Sequence, residues 1–424
     1  MRKRLCYLIL TVQAAIALTG CGGKEEDLEN KDAPPVVLQV YAGQSEKENL
    51  ELLVDAYQKK NKELSVEIHL IPNSEYTQQM MRIKNREVQA DCIFFQSAGE
   101  AAIWRNKKVL KDLRPWYEGT EEAAYYCRWY EEMADDGAYY MIPYRLGKIC
   151  VYYNKTLFEK NGVDVPADGW TWEDYKEAAK RLTGWEDNRK IYGSLGFEGP
   201  GLWWMFPART RGAEDPFDPE DLEAFRESAE WCHEFTKEFT TTFPYVDWKD
   251  DGSGYNELFL EGRLGMYFGE DNEVNILNRE IHNQRLEIEY DVASLPVWDE
   301  AGTSEVYNTS VFTMSASSQY PEETYQFMEF CIGEEGAQIL TENGAVPSWQ
   351  SPAIQESYLA AAGTPEHSEC FFTNDMPVER KAGGLYNGGI AIMQNEVALY
   401  MKDEQELDYT FENIQKQLRE LRAR

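Results

Sequence analysis

The sequence predicts an α/β protein of two lobes, each built from a sheet flanked by helices. Apolar β-branched runs alternate along the chain with segments whose apolar residues recur at helical spacing, which is the pattern of layered α/β folds. The 424 residues exceed the usual size of one domain. Hydrophobic residues make up 43% and aromatic residues 13% of the chain, which is enough for a sizeable core.

The first elements after the N-terminal region alternate between strand and helix. Residues 36–41 form a β-branched run typical of a buried strand, and residues 50–57 carry apolar side chains at helical spacing. Residues 66–70 alternate between apolar and polar, which predicts a second strand. A helix over 76–87 and a buried strand over 92–95 follow. This β-α-β-α-β order predicts a lobe with a largely parallel sheet.

Later elements are marked by helix-start signals and further apolar runs. Thr171 and Asp174 have the spacing of a capping box, and Pro219 directly after Asp218 is typical of a first helical residue. Phe411, Ile414, Leu418 and Leu421 predict a closing amphipathic helix. Three more strands are predicted, over residues 264–268, 290–293 and 310–314.

The N-terminal region has the features of an export signal. Residues 1–20 combine a positive start with an apolar stretch too short to span a membrane comfortably. Leu18-Thr19-Gly20-Cys21 resembles the lipobox of bacterial lipoproteins, and this resemblance implies cleavage before Cys21 and lipidation of its thiol. Residues 21–35 are acidic and almost without large apolar side chains, so we expect a flexible tether.

The charge of the chain disfavours two kinds of partner. The formal net charge is −33, and loss of the three basic residues of the signal takes it to −36. Nucleic acid is disfavoured because phosphate binding needs a basic face. Docking on anionic lipid by charge is disfavoured for the same reason, so a lipid anchor is needed to hold the protein at the membrane.

The cysteines of the expected mature domain are scattered and contain no CxxC pair, which leaves a zinc ribbon or a redox motif without support. Four of them, Cys92, Cys150, Cys232 and Cys331, lie in apolar patterns where we expect buried free thiols. Export permits disulfides, and the sequence leaves the pairing of all six open. The six are Cys92, Cys127, Cys150, Cys232, Cys331 and Cys370.

Residues 142–162 run from Ile-Pro-Tyr-Arg into Tyr-Tyr-Asn-Lys and then Leu-Phe-Glu-Lys-Asn-Gly. This block is the most specific of several that, in order, resemble the family 1 extracellular solute-binding proteins, which are maltose-binding-protein-like receptors of ABC importers. The Thr-Trp-Glu-Asp start at 171–174 departs from the family pattern by one position at its acid. Further blocks match at 91–116, 259–266 and 295–347, so the resemblance covers essentially the whole mature chain.

The resemblance implies a periplasmic-binding-protein-like fold with a ligand cleft between the lobes. Lobe 1 is then expected to comprise 36–145 and 297–345, and lobe 2 to comprise 146–296 and 346–424. The expected function is capture of a small solute, most simply a sugar or oligosaccharide, by hinge closure and its delivery to ABC permease subunits with their ATPase. We expect a monomer without cofactor or metal, anchored by lipid on the extracytoplasmic face of the cell membrane.

Sugars need aromatic platforms together with amide and carboxylate partners for their hydroxyls. Tyr153, the Trp203-Trp204 pair and Tyr386 are the expected platforms, since the resemblance places them at the cleft. Many relatives carry a tryptophan after the strand that ends near Met266, where this chain has Glu270, Asp271 and Asn272, so a polar contact is expected there. The remaining expected ligand-binding residues are Gln96, Ser97, Tyr144, Arg145 and Asn387.

Two other functions stay open at this stage. The same fold serves peptide, polyamine and other amine receptors, and the carboxylates at 270 and 271 would suit a cation. A lipoprotein glycoside hydrolase would need two carboxylates at a set separation, and no pair is marked among the 75 acidic residues. Residues 247–258 partly match an EF-hand loop, but Lys249 and Leu258 occupy ligand positions and argue against calcium.

Overall fold

The structure is a computed structural model that describes residues 35–117, 138–197, 202–239, 253–361, 363–372 and 384–423. The chain divides into two units, Met1–Pro35 and Val36–Arg424, and the second contains the folded domain. The expected signal peptide, Cys21, all but the last residue of the expected tether, and Cys127 lie outside the described residues. The first half of the EF-hand-like segment, residues 247–252, does so as well.

Ten strands lie in the described residues: β1 Val36–Gly43, β2 Leu64–Ile71, β3 Cys92–Phe95, β4 Ile142–Arg145, β5 Cys150–Asn154, β6 Gly184–Glu186, β7 Arg189–Ile191, β8 Met266–Gly269, β9 Tyr290–Ser294 and β10 Ser310–Met314. The α-helices described are α1 Lys47–Lys60, α2 Tyr76–Lys84, α3 Ala98–Asn106, α4 Arg114–Tyr117, α5 Lys155–Lys160, α6 Trp172–Leu182, α7 Phe206–Arg209, α8 Pro219–Phe239, α9 Ser253–Leu260, α10 Asn272–Gln284, α11 Pro321–Ile332, α12 Glu334–Glu342, α13 Pro352–Leu359, α14 Gly384–Met401 and α15 Leu407–Arg422. Among the described residues, no helix combines the length and the apolar character that crossing a bilayer requires.

The first sheet has five strands in the order β2-β1-β3-β10-β4. Its first three strands are parallel, as the β-α-β-α-β order predicts. β10 returns from much later in the chain and pairs antiparallel with both β3 and β4, so the sheet as a whole is mixed.

The second sheet has three strands in the order β8-β5-β9 and is antiparallel throughout. A separate antiparallel hairpin is formed by β6 and β7. The predicted strands at 290–293 and 310–314 are confirmed, and the strand predicted over 264–268 begins two residues later, at Met266.

Both sheets are buried on both faces. Alternate residues of a strand point to opposite faces, and Val151 and Tyr153 of β5 enter one core while Cys150 and Tyr152 enter another. Residues of β3 alternate in the same way between two further cores. We call the first sheet with its two cores the first lobe, and the second sheet with its two cores the second lobe.

The predicted helix starts are confirmed by their capping geometry. The Thr171 hydroxyl accepts from the backbone N–H of Asp174, and the Asp174 carboxylate accepts from the backbone N–H of Thr171, which completes the capping box. The Asp218 carboxylate accepts from the N–H groups of Glu220 and Asp221 at the start of α8. These caps satisfy donors that a helix leaves unpaired at its N-terminus.

The chain crosses between the lobes at least three times. Tyr144 packs in the first lobe and Cys150 in the second, and Ala345 packs in the first while Val346 packs in the second. Val306 still packs with the second lobe, so this part of the chain re-enters the first sheet by Ser310, later than the expected 297. Trp349 and Ile354 also return to the first-lobe core. The lobe boundaries as a set stay a prediction.

Candidate functional site

A cavity of about 630 Å³ lies between the two lobes. The first lobe contributes the turn at residues 44–46 with the start of α1, together with Gln96 and residues 343–345. The second lobe contributes Trp203, Tyr255, Phe268 and the segment from Gly269 into α10. Clefts between lobes are where small-ligand sites concentrate, and this volume falls within the usual range for them.

The first-lobe wall is polar. It begins where β1 ends and continues through the turn Gln44–Glu46 into α1, because the carboxyl ends of the parallel strands face the cleft. The Gln96 amide, just past β3, donates to the Ser45 hydroxyl at 2.7 Å. Asn49 accepts from the Asn343 amide at 2.8 Å, which joins α1 to the end of α12.

The second-lobe wall carries the aromatic side chains. Trp203 is partly buried and meets Phe268 edge-on, with ring centroids 5.6 Å apart. The Tyr255 hydroxyl donates to a Glu273 carboxylate oxygen at 3.4 Å. This wall therefore offers an indole face together with carboxylates.

Arg145 joins the two lobes at the base of the cavity. Its guanidinium contacts a Glu46 oxygen of the first lobe at 3.1 Å and an Asp271 oxygen of the second lobe at 3.3 Å. Only 6% of the Arg145 side chain is exposed. Burial by itself would lower the pKa of Arg145, but the two carboxylates, Asp271 first, raise it above its ordinary value. Asp271 also accepts from the backbone N–H of Val346 at 2.6 Å.

Glu270 is the cavity carboxylate with the most shifted acidity. Burial raises the pKa of Glu270 to about 7, although a hydrogen bond from Asn308 and the charge of Arg145 act in the opposite direction. The Asn308 amide donates to the carboxylate at 2.9 Å. The Tyr152 hydroxyl donates to the Glu270 carbonyl oxygen at 2.6 Å and fixes the backbone there.

Two asparagine amides make further contacts between the lobes. Asn275 of α10 donates to the carbonyl oxygen of Asn343 at 2.7 Å. Asn387 of α14 donates to the carbonyl oxygen of Gly99 at 2.7 Å, in the first turn of α3. Both contacts require the lobes to be close together.

The structure brings five of the expected ligand-binding residues to the cavity: Gln96, Arg145, Trp203, Glu270 and Asn272. Asp271 and Asn387 do not line the cavity but join the lobes through the contacts above. Ser97 caps α3 by accepting from the N–H of Glu100 at 3.2 Å. Tyr386 lies in the first turn of α14 beside the Arg209 guanidinium and does not line the cavity.

Three side chains that we expect at the cavity, those of Tyr153, Tyr144 and Trp204, lie in the cores instead. Tyr153 is 1% exposed and its hydroxyl donates to Asp291 at 3.3 Å, because β5 is covered on both faces. Tyr144 is fully buried against Phe94 and Phe312. Trp204 is buried in the second-lobe core. Trp203 and Trp204 are adjacent in sequence, but the turn places the first at the cavity and the second in the core.

Several cavity residues were not anticipated: Glu46, Asn49, Tyr255, Phe268, Asn275, Arg279 and Asn308. Most of them lie next to strand ends or near helix starts, and that location is the one sign of a site that the sequence offers. Many residues outside the site share this location. Only the crossings of the chain between the lobes bring these particular residues together.

One group of residues has the composition of a metal site. Ligand atoms of Asp291, Glu366 and His367 lie within 4.8 Å of one another. The Lys155 ammonium lies 3.3 Å from Glu366 and 3.9 Å from Asp291, so a cation is already present. A hydrogen bond to Asp291 raises the pKa of His367. We assign no metal to this group.

Two α/β lobes with a polar and aromatic cavity between them define a two-lobed binding protein. Residues 43–338 match the family model described as bacterial extracellular solute-binding protein. The match covers well over half of the chain, and the chain belongs to this family.

Solved structures share the fold of this chain. A sugar transporter of Rhizobium etli, in an open conformation, is 19% identical with a TM-score of 0.75 and covers 91% of this chain and 99% of its own. A substrate-binding protein of Listeria monocytogenes in complex with cycloalternan is 19% identical with a TM-score of 0.73 and covers 92% and 99%.

Curated relatives match over shorter stretches. An arabinooligosaccharide-binding protein of Halalkalibacterium halodurans is 45% identical over 49 residues, which are 12% of this chain and 11% of that protein. A binding protein of Brucella abortus is 23% identical over 236 residues, 53% of this chain and 54% of that protein. The chain therefore spans about half, or less, of the length of these relatives.

Proposed function

We propose that this protein is the receptor of an ABC importer, and that it captures a sugar or oligosaccharide in the cavity between its lobes. The observation that carries the proposal is the cavity itself, which both lobes line, together with the hydrogen bonds that join the lobes. A ligand that touches both walls favours the closed state over the open one by its additional contacts, and a permease can recognise that state.

The chemistry of the cavity supports a polyhydroxylated ligand. Amides of Gln96, Asn49 and Asn308 and the carboxylate of Glu270 supply donors and acceptors for hydroxyl groups. Trp203 supplies a flat apolar face for the C–H side of a sugar ring. Two similar proteins also support a saccharide ligand: one is solved in complex with cycloalternan, and the other is named an arabinooligosaccharide-binding protein.

A cationic ligand is the second candidate. Four carboxylates line the cavity, those of Glu46, Glu48, Glu270 and Glu273, and three cationic side chains face them, those of Lys47, Arg145 and Arg279. Since Arg145 is already paired with Glu46 and Asp271, the surplus of negative charge would attract an amine or a basic peptide. A glycoside hydrolase is the remote third candidate.

Binding and turnover assays separate these candidates. Calorimetry of the full chain with a panel of oligosaccharides, polyamines and peptides is expected to give binding with a saccharide and no hydrolysis product on chromatography. Binding of an amine alone would replace the sugar proposal, and release of shorter sugars would replace the receptor proposal by an enzyme.

Closure is tested by solution scattering with and without the saccharide found in the panel. The radius of gyration is expected to decrease on binding, because the two walls approach each other. An unchanged radius with tight binding would contradict hinge closure while leaving the binding function intact.

We also propose that the protein is held on the extracytoplasmic face of the cell membrane by lipid on Cys21, as a monomer. The support is the lipobox resemblance and the acidic stretch that follows it. Cys21→Ser is expected to release the protein from the membrane fraction, with Cys6→Ser as the matched control that stays bound. Equal retention of both variants would contradict lipid anchoring.

A further inference from the structure

Two cysteines that are 220 positions apart in sequence meet in the second lobe. Cys150 is the first residue of β5 and is fully buried, and Cys370 lies in the short 3-10 turn Ser368–Phe371. The Cys150 thiol donates to the carbonyl oxygen of Cys370, with Sγ 3.5 Å from the oxygen. The nearby Cys150 thiol also raises the pKa of the Cys370 thiol.

We propose that Cys150 and Cys370 form a disulfide when the protein meets a low-molecular-mass disulfide such as cystine. The Cys370 thiolate attacks one sulfur of cystine and releases one cysteine, which leaves a mixed disulfide. The Cys150 thiolate then attacks the sulfur of Cys370 and releases the second cysteine. Two protons and two electrons pass from the protein to cystine, which is reduced to two cysteines.

The structure provides a route for the oxidant to one of the two thiols. Cys370 lines a cavity of about 300 Å³ together with Lys148, Trp170, Glu305 and His367. It is partly exposed, whereas the other four described cysteines are fully buried.

The surroundings of Cys370 influence the rate at which its thiol is oxidised. Burial raises the pKa of the Cys370 thiol, and the contact with Cys150 raises it further, while the Lys148 ammonium acts in the opposite direction. The Lys148 side chain is 3% exposed, and its ammonium contacts Glu305 at 2.6 Å and donates to the Phe372 carbonyl oxygen at 3.2 Å. Since the thiolate is the attacking species, oxidation is expected to accelerate as pH rises from 7 towards 9.

The bond would fasten the turn that holds Asp291. The His367 N–H donates to Asp291 at 3.1 Å, and its ring nitrogen lies 2.8 Å from the same carboxylate. A cross-link between residues far apart in sequence restricts the unfolded chain, so the melting temperature is expected to be higher in the oxidised protein, by about 5 °C.

Differential alkylation of the full chain tests the proposal. The protein is incubated with cystine at pH 8.5, unfolded with one alkylating label, reduced, treated with a second label and mapped by mass spectrometry. Cys150 and Cys370 are expected to carry the second label, in a peptide pair that is joined before reduction. Cys92→Ala is the matched control and should keep the bond, whereas Cys370→Ala should lose both the bond and the gain in melting temperature.

Two results would overturn the proposal. In the first, Cys150 and Cys370 both carry the first label after prolonged incubation with cystine. In the second, either of them is found joined to a different cysteine. Because the mapping is made on the unsubstituted protein, neither result depends on the folding of a variant.

Discussion

The two walls of the cavity differ in chemistry. The first-lobe wall is a turn and a helix start that expose amides, hydroxyls and backbone groups between Gln44 and Asn49. The second-lobe wall adds Trp203, Tyr255 and Phe268 to its polar groups. The difference indicates a division of labour, in which the second lobe supplies most of the apolar contact and the first lobe adds hydrogen bonds on closure. A ligand would then bind first to the aromatic wall.

Arg145 connects the two walls, and its removal should have the largest effect. Arg145→Met leaves the buried carboxylates of Glu46 and Asp271 without their cation, so we expect a loss of about 3–5 kcal/mol in the free energy of unfolding. Urea denaturation measures it. The triple variant Glu46→Gln, Arg145→Met, Asp271→Asn should recover much of the loss, because it leaves no uncompensated charge. A loss from Arg145→Met as small as that from Lys59→Met, which breaks an exposed pair with Asp55, would contradict this role.

The adjacent tryptophans give a direct comparison between wall and core. Trp203→Ala should weaken saccharide affinity about tenfold, since stacking contributes about 0.5–1.5 kcal/mol beyond the buried area. Trp204→Phe changes the core and should leave affinity unchanged while lowering the melting temperature. Calorimetry and thermal unfolding of both variants check this. Equal affinities for wild type and Trp203→Ala would remove the aromatic wall from the binding site.

Glu270 is expected to make ligand binding dependent on pH. Its pKa of about 7 means that the carboxylate becomes ionised as pH rises through neutrality. An ionised carboxylate accepts a stronger hydrogen bond from a hydroxyl, so affinity should rise by about fivefold from pH 6 to pH 8, or roughly 1 kcal/mol. The charges of Arg145, Asp271 and Glu46 act on the same group.

Glu270→Gln is expected to remove this dependence and to retain most saccharide binding. If the variant instead loses all affinity for a cationic ligand, while Trp203→Ala has no effect, the amine proposal replaces the sugar proposal.

The stability of the unliganded protein is expected to depend on pH in the opposite direction to ligand affinity. A carboxyl whose pKa is raised in the folded state loses stabilisation as pH rises from about 4.5 towards 7, and Glu270→Gln should flatten that slope.

The smallest expected effect comes from Tyr153→Phe. The change removes one buried hydrogen bond, to Asp291, and should cost about 1 kcal/mol of stability. Saccharide affinity should stay within twofold of wild type, because the ring lies in the second-lobe core. A large drop in affinity without a loss of stability would return Tyr153 to the binding site.

The sequence predicts the elements well because their signals are local. Each signal lies within a short stretch of sequence. Examples are the β-branched run at β1, the capping box at Thr171 and the apolar face of α15. The antiparallel entry of β10 between β3 and β4 depends on a return from over 200 residues away, and no local pattern encodes it.

The site is harder to predict than the fold for a related physical reason. Trp203 and Trp204 have the same chemistry, and only the direction of one short turn places the first in the cavity and the second in the core. Tyr153 follows the family motif, but its strand is covered on both faces. Residues such as Glu46 and Asn308 become part of the site only when the crossings bring distant segments together.

The asparagine contacts between the lobes have a consequence for the surroundings in which the protein can work. The chain carries a formal net charge of −33, so closing the lobes brings like charges together, and dissolved ions weaken that repulsion. Asn275 and Asn387 join the lobes through neutral amides, whose bonds to Asn343 and Gly99 are not expected to weaken as ionic strength increases. The closed form should therefore become more favourable in brackish or saline media, which is opposite to the behaviour of a receptor closed by surface ion pairs.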